Sequence, residues 1–592
     1  MRQCRAAIFI FFPIHSRLHA MLRAESHLHA IIPRGRLRQR GRGRAHDIST
    51  AAAAPRFLVG SRRSAAAAGS RRLLTGGHRR RPFAASSGGT PQRAGGASGP
   101  SSDGGGSMSS SAPLLGAEEA GGGEPAPAPR PSSWSWVERV VDTAEARAQL
   151  RFAVPMVVTS MAYYGIPLVS VMFSGHLGDD VHLAGATLGN SWATVTGYAF
   201  VTGLSGALET LCGQAYGAGL YRMLGLYLQS SLIMSAAVSA AVSALWWFTE
   251  PVLLFLRQEP EVSRAAAAFV QAQVPGLFAF AFVQCLLRYL QTQSVVLPLV
   301  VCSVAPFALH VALTHLLVNV LGLGLAGAGA AVSATFWVSC LLLRAYVLRS
   351  GAFSETWEGF SAEAFKYVAP TVKLATPSAV MVCLEYWAFE LLVLIAGLLP
   401  NSTVSTSLIA MCSSTEAIAY MITFGFSAAV STRVSNEIGA GNVERAKNAV
   451  SVTMKLSVFL AVTFVLLLAF GHGPWARLFS GSATIVSAFG AIAPLMVVSI
   501  VLDSAQGVLS GVARGCGWQH LAAVTNLVAF YFVGMPLAVL FAFKLDLRAR
   551  GLWAGLICGL TCQASTLLVI TVRTKWSKLA EAMQEKKASY VA

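Results

Sequence analysis

Twelve apolar stretches, each about as long as a bilayer is thick, follow one another between Leu150 and residue 572. They lie near 150–173, 184–211, 221–248, 264–288, 295–320, 325–348, 373–399, 405–431, 449–470, 484–511, 520–543 and 551–572. Roughly 20 helical residues span a hydrocarbon core. Backbone groups in lipid must be satisfied within the segment itself, so runs of this kind are read as helices. The chain as a whole, 592 residues, is 54% hydrophobic and 12% charged, with a mean hydropathy of +0.57. A soluble domain carries about 25% charged residues. The expected fold is therefore an all-α polytopic membrane protein with twelve transmembrane helices, and a soluble globular enzyme is excluded.

The net charge of +18 suggests a nucleic-acid binder until it is located. Residues 1–107 hold 19 of the 45 basic residues against Glu25, Asp47 and Asp103, which leaves only +2 for the rest. The body has no basic face for a phosphate backbone, so no nucleic-acid partner is expected. The segment 1–107 is rich in Arg, Ala, Gly and Ser and cannot bury a core, which reads as a disordered extension. Its composition fits an organelle transit segment, while Met108 opens an ordinary polar tail, so an upstream start absent from the working protein is equally open. The ten cysteines follow neither a zinc nor a disulfide spacing and read as small buried apolar residues. No phosphate-loop, zinc-hydrolase or serine-hydrolase motif occurs, which points away from ATP as the energy source and from an enzyme. No cofactor or metal is expected.

Of the 26 Lys and Arg residues after position 107, 20 fall on one side of this topology and six on the other. The richer side is the cytoplasmic one, and it holds both termini. The organisation is then 108–147 as a tail, 148–348 as a first lobe, 349–372 as a linker, 373–573 as a second lobe and 574–592 as a cytoplasmic tail. A shift of 222 residues relates the lobes, pairing Pro155 with Pro377, Tyr164 with Tyr386, Gly175 with Gly397, Tyr198 with Tyr420, Gly203 with Gly425, Ser205 with Ser427 and Thr210 with Thr432. It also pairs Gly217-Ala218-Gly219 with Gly439-Ala440-Gly441. Six spans per copy make this a parallel repeat, with a pseudo-two-fold axis along the membrane normal between two six-helix lobes. Transporters of this build place the substrate between the halves.

A carboxylate within a span costs roughly 2.5–3.5 kcal/mol on insertion scales and marks function by default. Glu385 and Glu390 lie in the seventh span, five residues and so about 140° apart. That separation predicts that only one of them faces a given cavity. Asp503 lies in the tenth span with Gln506 a turn away. Glu385 and Asp503 are deep and have no cation within a turn on their own helices, so they are the expected proton-coupling pair. A carboxyl group so placed can carry a proton and release it when a cation arrives. Glu209 and Gln214 flank the end of the second span and Glu416 falls in the eighth. Glu209 reads equally as a hydrated helix end, and Glu390 and Glu416 as groups bonded to a neighbouring helix. Tyr163, Tyr164, Tyr386 and Trp387 are placed to line a cation pocket or simply to pack. The substrate-cleft candidates are accordingly Tyr163, Tyr164, Glu209, Gln214, Tyr386, Trp387, Glu390 and Gln506. His310 and His315 are five apart and read as structural. Arg433, Glu437, Glu444, Arg445 and Lys447 read as a salt-bridged loop, and Asn401-Ser402-Thr403 as a sequon too close to the membrane for use.

The segments SGHLGDD (174–180), ALETLCGQAYGAG (207–219), CLEYWAFELLVLIAGLLPN (383–401), STRVSNEIGAGN (431–442) and DSAQGVLSGVARGCGWQ (503–519) closely resemble the multidrug and toxic compound extrusion (MATE) family and its plant DETOXIFICATION branch. The resemblance covers about 145–575. It implies two six-helix lobes around a V-shaped cleft, and export of organic cations, xenobiotics or plant secondary metabolites such as alkaloids and flavonoids in exchange for protons. It also implies that Glu385 and Asp503 carry proton coupling in the second lobe. The first span lacks the acid that many bacterial members use. The partners implied are a small organic cation or amphipathic substrate and the lipid bilayer, the protein acting as a monomer in the plasma or vacuolar membrane. Alternatives are a sodium-coupled exporter or a lipid or glycolipid flippase, the latter expected to show a strongly cationic cleft where these spans carry acids.

Overall fold

The computed structural model describes residues 142–178, 180–400, 402–479 and 482–591. The N-terminal extension, most of the 108–147 tail and Asn401 of the sequon lie outside the described residues. Every regular element described is helical.

The first span, Thr143–Ser174, starts where Asp142 accepts the backbone N–H groups of Ala144 and Glu145, a side-chain cap that satisfies two orphan donors. The second runs through Asp180–Ala193, the π-helical stretch Thr194–Tyr198 and Ala199–Gly217. The third is Tyr221–Trp247, and the fourth is built from Pro260–Gln271 and Val274–Thr292. Leu297–Val320 and Gly324–Arg349 complete the first lobe. The second lobe repeats the order with Ala364–Ala396, Ser402–Gly439, Val443–Phe479, Ala483–Cys516, Gln519–Lys544 and Arg548–Arg573. A last helix, Trp576–Val591, follows. Eleven of these helices are long and apolar enough by themselves to cross a membrane, and the π-interrupted 180–217 run is the twelfth span.

Prolines sit inside the first and seventh spans at Pro155, Pro167, Pro370 and Pro377, and Pro155 and Pro377 are repeat mates. Each removes one i to i−4 bond and marks a place where the helix can bend. The first span leans on the eighth and ninth, and the seventh leans in the same way on the second and third. This exchange ties the lobes together.

The helices run further than their apolar stretches. The fourth span ends at Thr292, the seventh begins at Ala364 and the tenth ends at Cys516. The eighth continues to Gly439, so Arg433 and Glu437 are helical rather than in a loop, with Arg433 gripping Glu145 of the first span at 2.8 Å. Hydropathy marks where lipid ends, whereas intrahelical hydrogen bonding continues past that point. The short linker after Arg349 is fastened to the first lobe: Gln229 donates to the Gly359 carbonyl at 2.7 Å and Arg222 pairs with Glu363 at 2.7 Å.

The two lobes meet most closely on the side that carries both described ends. There the second and eighth spans cross at Gly213 and Ser435, residues 222 apart and therefore repeat mates lying on the pseudo-axis itself. On either side of the crossing Gln214 donates to the Gly515 carbonyl at 3.2 Å and its repeat mate Asn436 donates to the Thr292 carbonyl at 3.1 Å. Gly217 packs on the Asn436 carbonyl and Gly439 on that of Gln214.

Candidate functional site

Two cavities open between the lobes beyond this crossing. The first, about 270 Å³, is lined by Glu385 and Glu390 of the seventh span, Glu416 of the eighth and Asp503 of the tenth. No basic side chain is among its lining residues. Gln506 Nε2 donates to Glu385 Oε1 at 2.9 Å and to Asp503 Oδ1 at 2.8 Å, so a single amide bridges the two carboxylates. Ser510 donates to Gln506 Oε1 at 3.0 Å, which fixes the amide's orientation. Glu416 accepts from Ser499 at 2.8 Å, and its other oxygen has no hydrogen-bond partner. This is the acidic chamber.

The expectation that only one of Glu385 and Glu390 can face a cavity is wrong: both line this one. Taking Glu385 as zero, Phe389 falls at about 40°, Tyr386 at about 100° and Glu390 at about 140° around the helix. All four line the chamber, so the seventh span projects into the cleft and exposes that whole arc.

The second cavity, about 350 Å³, is walled by aromatic rings, among them Tyr163, Tyr198, Phe280, Phe336, Tyr420 and Phe424. Tyr164, Tyr386, Tyr420 and Asn190 line both chambers and form their common wall. At the inner end of this aromatic chamber stand Glu209, Arg288 and Arg514. Arg288 Nη1 lies 2.9 Å from Glu209 Oε1 and Arg514 Nε lies 3.0 Å from Oε2. Ser431, the repeat mate of Glu209, donates to Oε2 at 2.5 Å. The Glu209 side chain is 0% exposed. It is therefore a buried ion cluster joining both lobes, not a hydrated helix end.

Neither arginine was legible as part of the site. Each lies at the edge of an apolar run, as do Arg344 and Lys373, and span ends read to about four residues do not separate them. The signal available was indirect: Glu209 within a span requires a countercharge from elsewhere.

The chambers occupy matching places in the repeat. Tyr163 and Leu168 of the aromatic chamber stand 222 residues before Glu385 and Glu390 of the acidic one, and Thr194, which lines both, stands 222 before Glu416. In the tenth span the register is one longer, since Thr292 and Gly515 play equivalent parts; Asp503 then answers to Phe280. The same framework thus carries uncharged side chains, Tyr163, Leu168, Thr194 and Phe280, in one lobe and carboxylates in the other.

Other candidates fall elsewhere. Gln214 belongs to the crossing, and Trp387 lines neither chamber but donates to the Val195 carbonyl at 3.2 Å. His310 is buried among Ser170, Thr314 and Thr335, hydrogen-bonded within its lobe as a structural residue, and His315 contacts Asn319. The nine described cysteines are free, and seven are buried. No cluster of metal-binding side chains is found among the described residues.

The MatE family model matches residues 155–316 and 377–540, one stretch in each lobe. Protein DETOXIFICATION 18 of Arabidopsis thaliana is 53% identical over 453 residues, covering 76% of this chain and 96% of its own length. Protein DETOXIFICATION 16 of the same plant is 41% identical over 450 residues, covering 76% and 92%. The crystal structure of the eukaryotic MATE transporter AtDTX14 superposes with a TM-score of 0.72 at 36% identity, covering 75% of this chain and 99% of that one. The fold also matches an outward-facing multidrug resistance MATE transporter of the MOP superfamily, TM-score 0.66 at 17% identity, covering 74% and 97%. With the repeat, the twelve spans and the paired chambers, these matches place the chain in the MatE family, as a membrane transporter of the plant DETOXIFICATION type.

Proposed function

We propose that this transporter exports amphipathic organic compounds, organic cations, xenobiotics and plant secondary metabolites among them, in exchange for protons, with Glu385 and Asp503 carrying the protons. The observation that carries the reading is the Gln506 bridge: one amide holds both carboxylates in a chamber lined by four acids and no base. Two carboxylates held by one amide nitrogen cannot both be bare away from bulk water without strong mutual repulsion, so the pair is suited to hold a proton between them. Hydration from the open side, or arrival of a cation, is what releases it. Because the chambers share Tyr164, Tyr386 and Tyr420, a compound in the aromatic chamber touches the wall of the acidic one. Proton state and substrate occupancy are thereby felt on the same side chains.

Both termini are assigned to the cytoplasm of a plasma-membrane or vacuolar-membrane protein, so the Gly213–Ser435 crossing closes the cleft to the cytoplasm. Alternation then separates the lobes at this crossing and closes them beyond the chambers. Exchange of one proton for one monovalent cation moves no net charge. Each unit of pH difference then supplies about 1.4 kcal/mol, roughly a tenfold gradient of substrate. A second proton would bring the membrane potential in, at roughly 2.3 kcal/mol per charge per 100 mV.

The test is efflux of a fluorescent organic cation from proteoliposomes under an imposed pH gradient, native chain against Glu385→Gln. Gradient-driven efflux lost in the variant while its insertion is normal is the expected result. Equal transport by both would overturn the assignment of Glu385. Transport that follows a sodium gradient and ignores pH would replace protons with sodium in the same acidic chamber.

A further inference from the structure

Charge does not balance at the inner end of the aromatic chamber. Glu209 faces two guanidinium groups, and among the described residues no second carboxylate lies within ion-pair distance of Arg288 or Arg514. The cluster therefore carries one formal positive charge in excess, on side chains that are 3% and 6% exposed. Glu385 acts on Arg514 only from beyond ion-pair distance, and an excess charge with no carboxylate in contact is expensive in such surroundings. The remaining contacts are neutral. Gln291 accepts from Arg288 Nη1 at 2.8 Å, Ser427 accepts from Arg514 Nη2 at 2.7 Å, and the Phe424 ring lies 5.2 Å from the Arg288 guanidinium carbon. Arg288 Nε is left buried with no hydrogen-bond partner. Both arginines line the chamber, and the rings of Phe280, Phe336 and Phe424 line it with them.

We propose that this end of the aromatic chamber is a substrate subsite for an aromatic compound bearing a carboxylate. The carboxylate pairs with the guanidinium groups of Arg288 and Arg514 where they line the chamber and offsets the excess charge of the cluster, while the ring lies among Phe280, Phe336 and Phe424. The inference rests on the export reading above and names a substrate class for it: aromatic acids and carboxylated phenolic conjugates, alongside compounds whose cationic groups answer to the acidic chamber. A carboxylate beside a fixed guanidinium gains a charge-assisted bond that a neutral amide of the same shape makes only weakly. The cleft then has two polarities, cationic at the inner end of one chamber and carboxylate-lined in the other. Specificity within it depends on which charged end a compound presents, since like charge in the wrong chamber is rejected.

Equilibrium dialysis of the purified full chain in detergent, with no gradient imposed, tests the subsite separately from coupling. Three probes suffice: naphthoate, naphthamide and acetate. The native protein is expected to bind naphthoate at least about tenfold more tightly than naphthamide, as expected for a hydrogen bond to a charged group. Acetate at the same concentration is expected not to displace it. Arg288→Gln should bring naphthoate down to the level of naphthamide, and Arg288→Lys should keep part of the preference. Thermal unfolding of each variant shows that it is folded, and the native comparison stands even if Arg288→Gln does not fold. Equal binding of naphthoate and naphthamide by the native chain overturns the proposal. So does displacement by acetate, which would mark a small-anion site, or a preference unchanged in Arg288→Gln. Failure of gradient-driven efflux with intact naphthoate preference would instead refute the proton-exchange reading alone.

Discussion

A single methyl group at Gly217 or Gly439 should push the transporter out of the state seen here. A Cβ built on Gly217 comes 1.9 Å from the Asn436 carbonyl oxygen, and one on Gly439 comes 2.1 Å from that of Gln214. Carbon and carbonyl oxygen approach no closer than about 3.3 Å even in favourable contacts, so the two helices must separate by more than about 1 Å. The obstacle is backbone in both cases and cannot rotate away. Overpacking of this sort costs roughly 1–3 kcal/mol. It falls only on the conformation in which the second and eighth spans cross, so the equilibrium moves toward the opposite state by about 5- to 150-fold. Spin labels at the exposed ends of the lobes, replacing Arg222 in one and Glu444 in the other, would read the change by pulsed dipolar spectroscopy as a longer distance. Because the two glycines are repeat mates, both variants should shift the distribution in the same direction. Gly473→Ala is the control: a Cβ there meets nothing within 4 Å. If Gly217→Ala and Gly439→Ala both kept the native distance distribution while remaining folded, the crossing would not be a state-defining contact and the reasoning would fail.

Glu209→Gln leaves two buried guanidinium groups without their carboxylate, and breaking a buried ion pair in this way costs about 3–5 kcal/mol. A large drop in the thermal unfolding temperature is expected, and an unchanged one would mean that the cluster is hydrated. On the terminus side, the backbone N–H of Glu145 and then the Asn448 amide hold the Asp142 carboxyl below its ordinary range. Its folded value lies under its unfolded one, so the cap stabilises the first turn at neutral pH and loses that effect as pH falls through the folded value. Hydrogen exchange at Ala144 and Glu145 should therefore be faster in Asp142→Ala than in the native chain at neutral pH, and the two should converge only once the pH lies well below the ordinary Asp value of about 3.9. A difference that persisted there would assign the cap's effect to something other than the carboxylate's charge.

Spans, lobes and repeat were legible because each rests on a one-dimensional signal: the length of an apolar run, the distribution of Lys and Arg, and a constant offset of 222. Glu385 and Asp503 stand out because carboxylates are few in these spans, Gln506 because it lies a turn from Asp503, and the bridge between them joins helices that the repeat already places in one lobe. What could not be read was everything fixed by helix rotation and by helix ends. The exposed arc of the seventh span depends on how far that helix projects, which neighbours decide. The roles of Arg288 and Arg514 depend on where Glu209 meets them across the lobe boundary.

The repeat supplies a criterion that hydropathy lacks. Where mates are identical or small, as at Gly217 and Gly439, they build the crossing shared by the two lobes. Where mates differ in charge, they build the chambers: Tyr163 against Glu385, Leu168 against Glu390 and Thr194 against Glu416. Glu209 against Ser431 is the reverse case, with the acid in the first lobe, and here the mates touch each other. The axis that relates the lobes runs along the membrane normal, so it exchanges one lobe for the other and leaves the two faces of the membrane distinct. The charges laid upon this frame differ between the lobes, so a bound compound meets carboxylates in one chamber and mainly uncharged walls in the other, while the direction of any exchange is set by the gradients across the membrane.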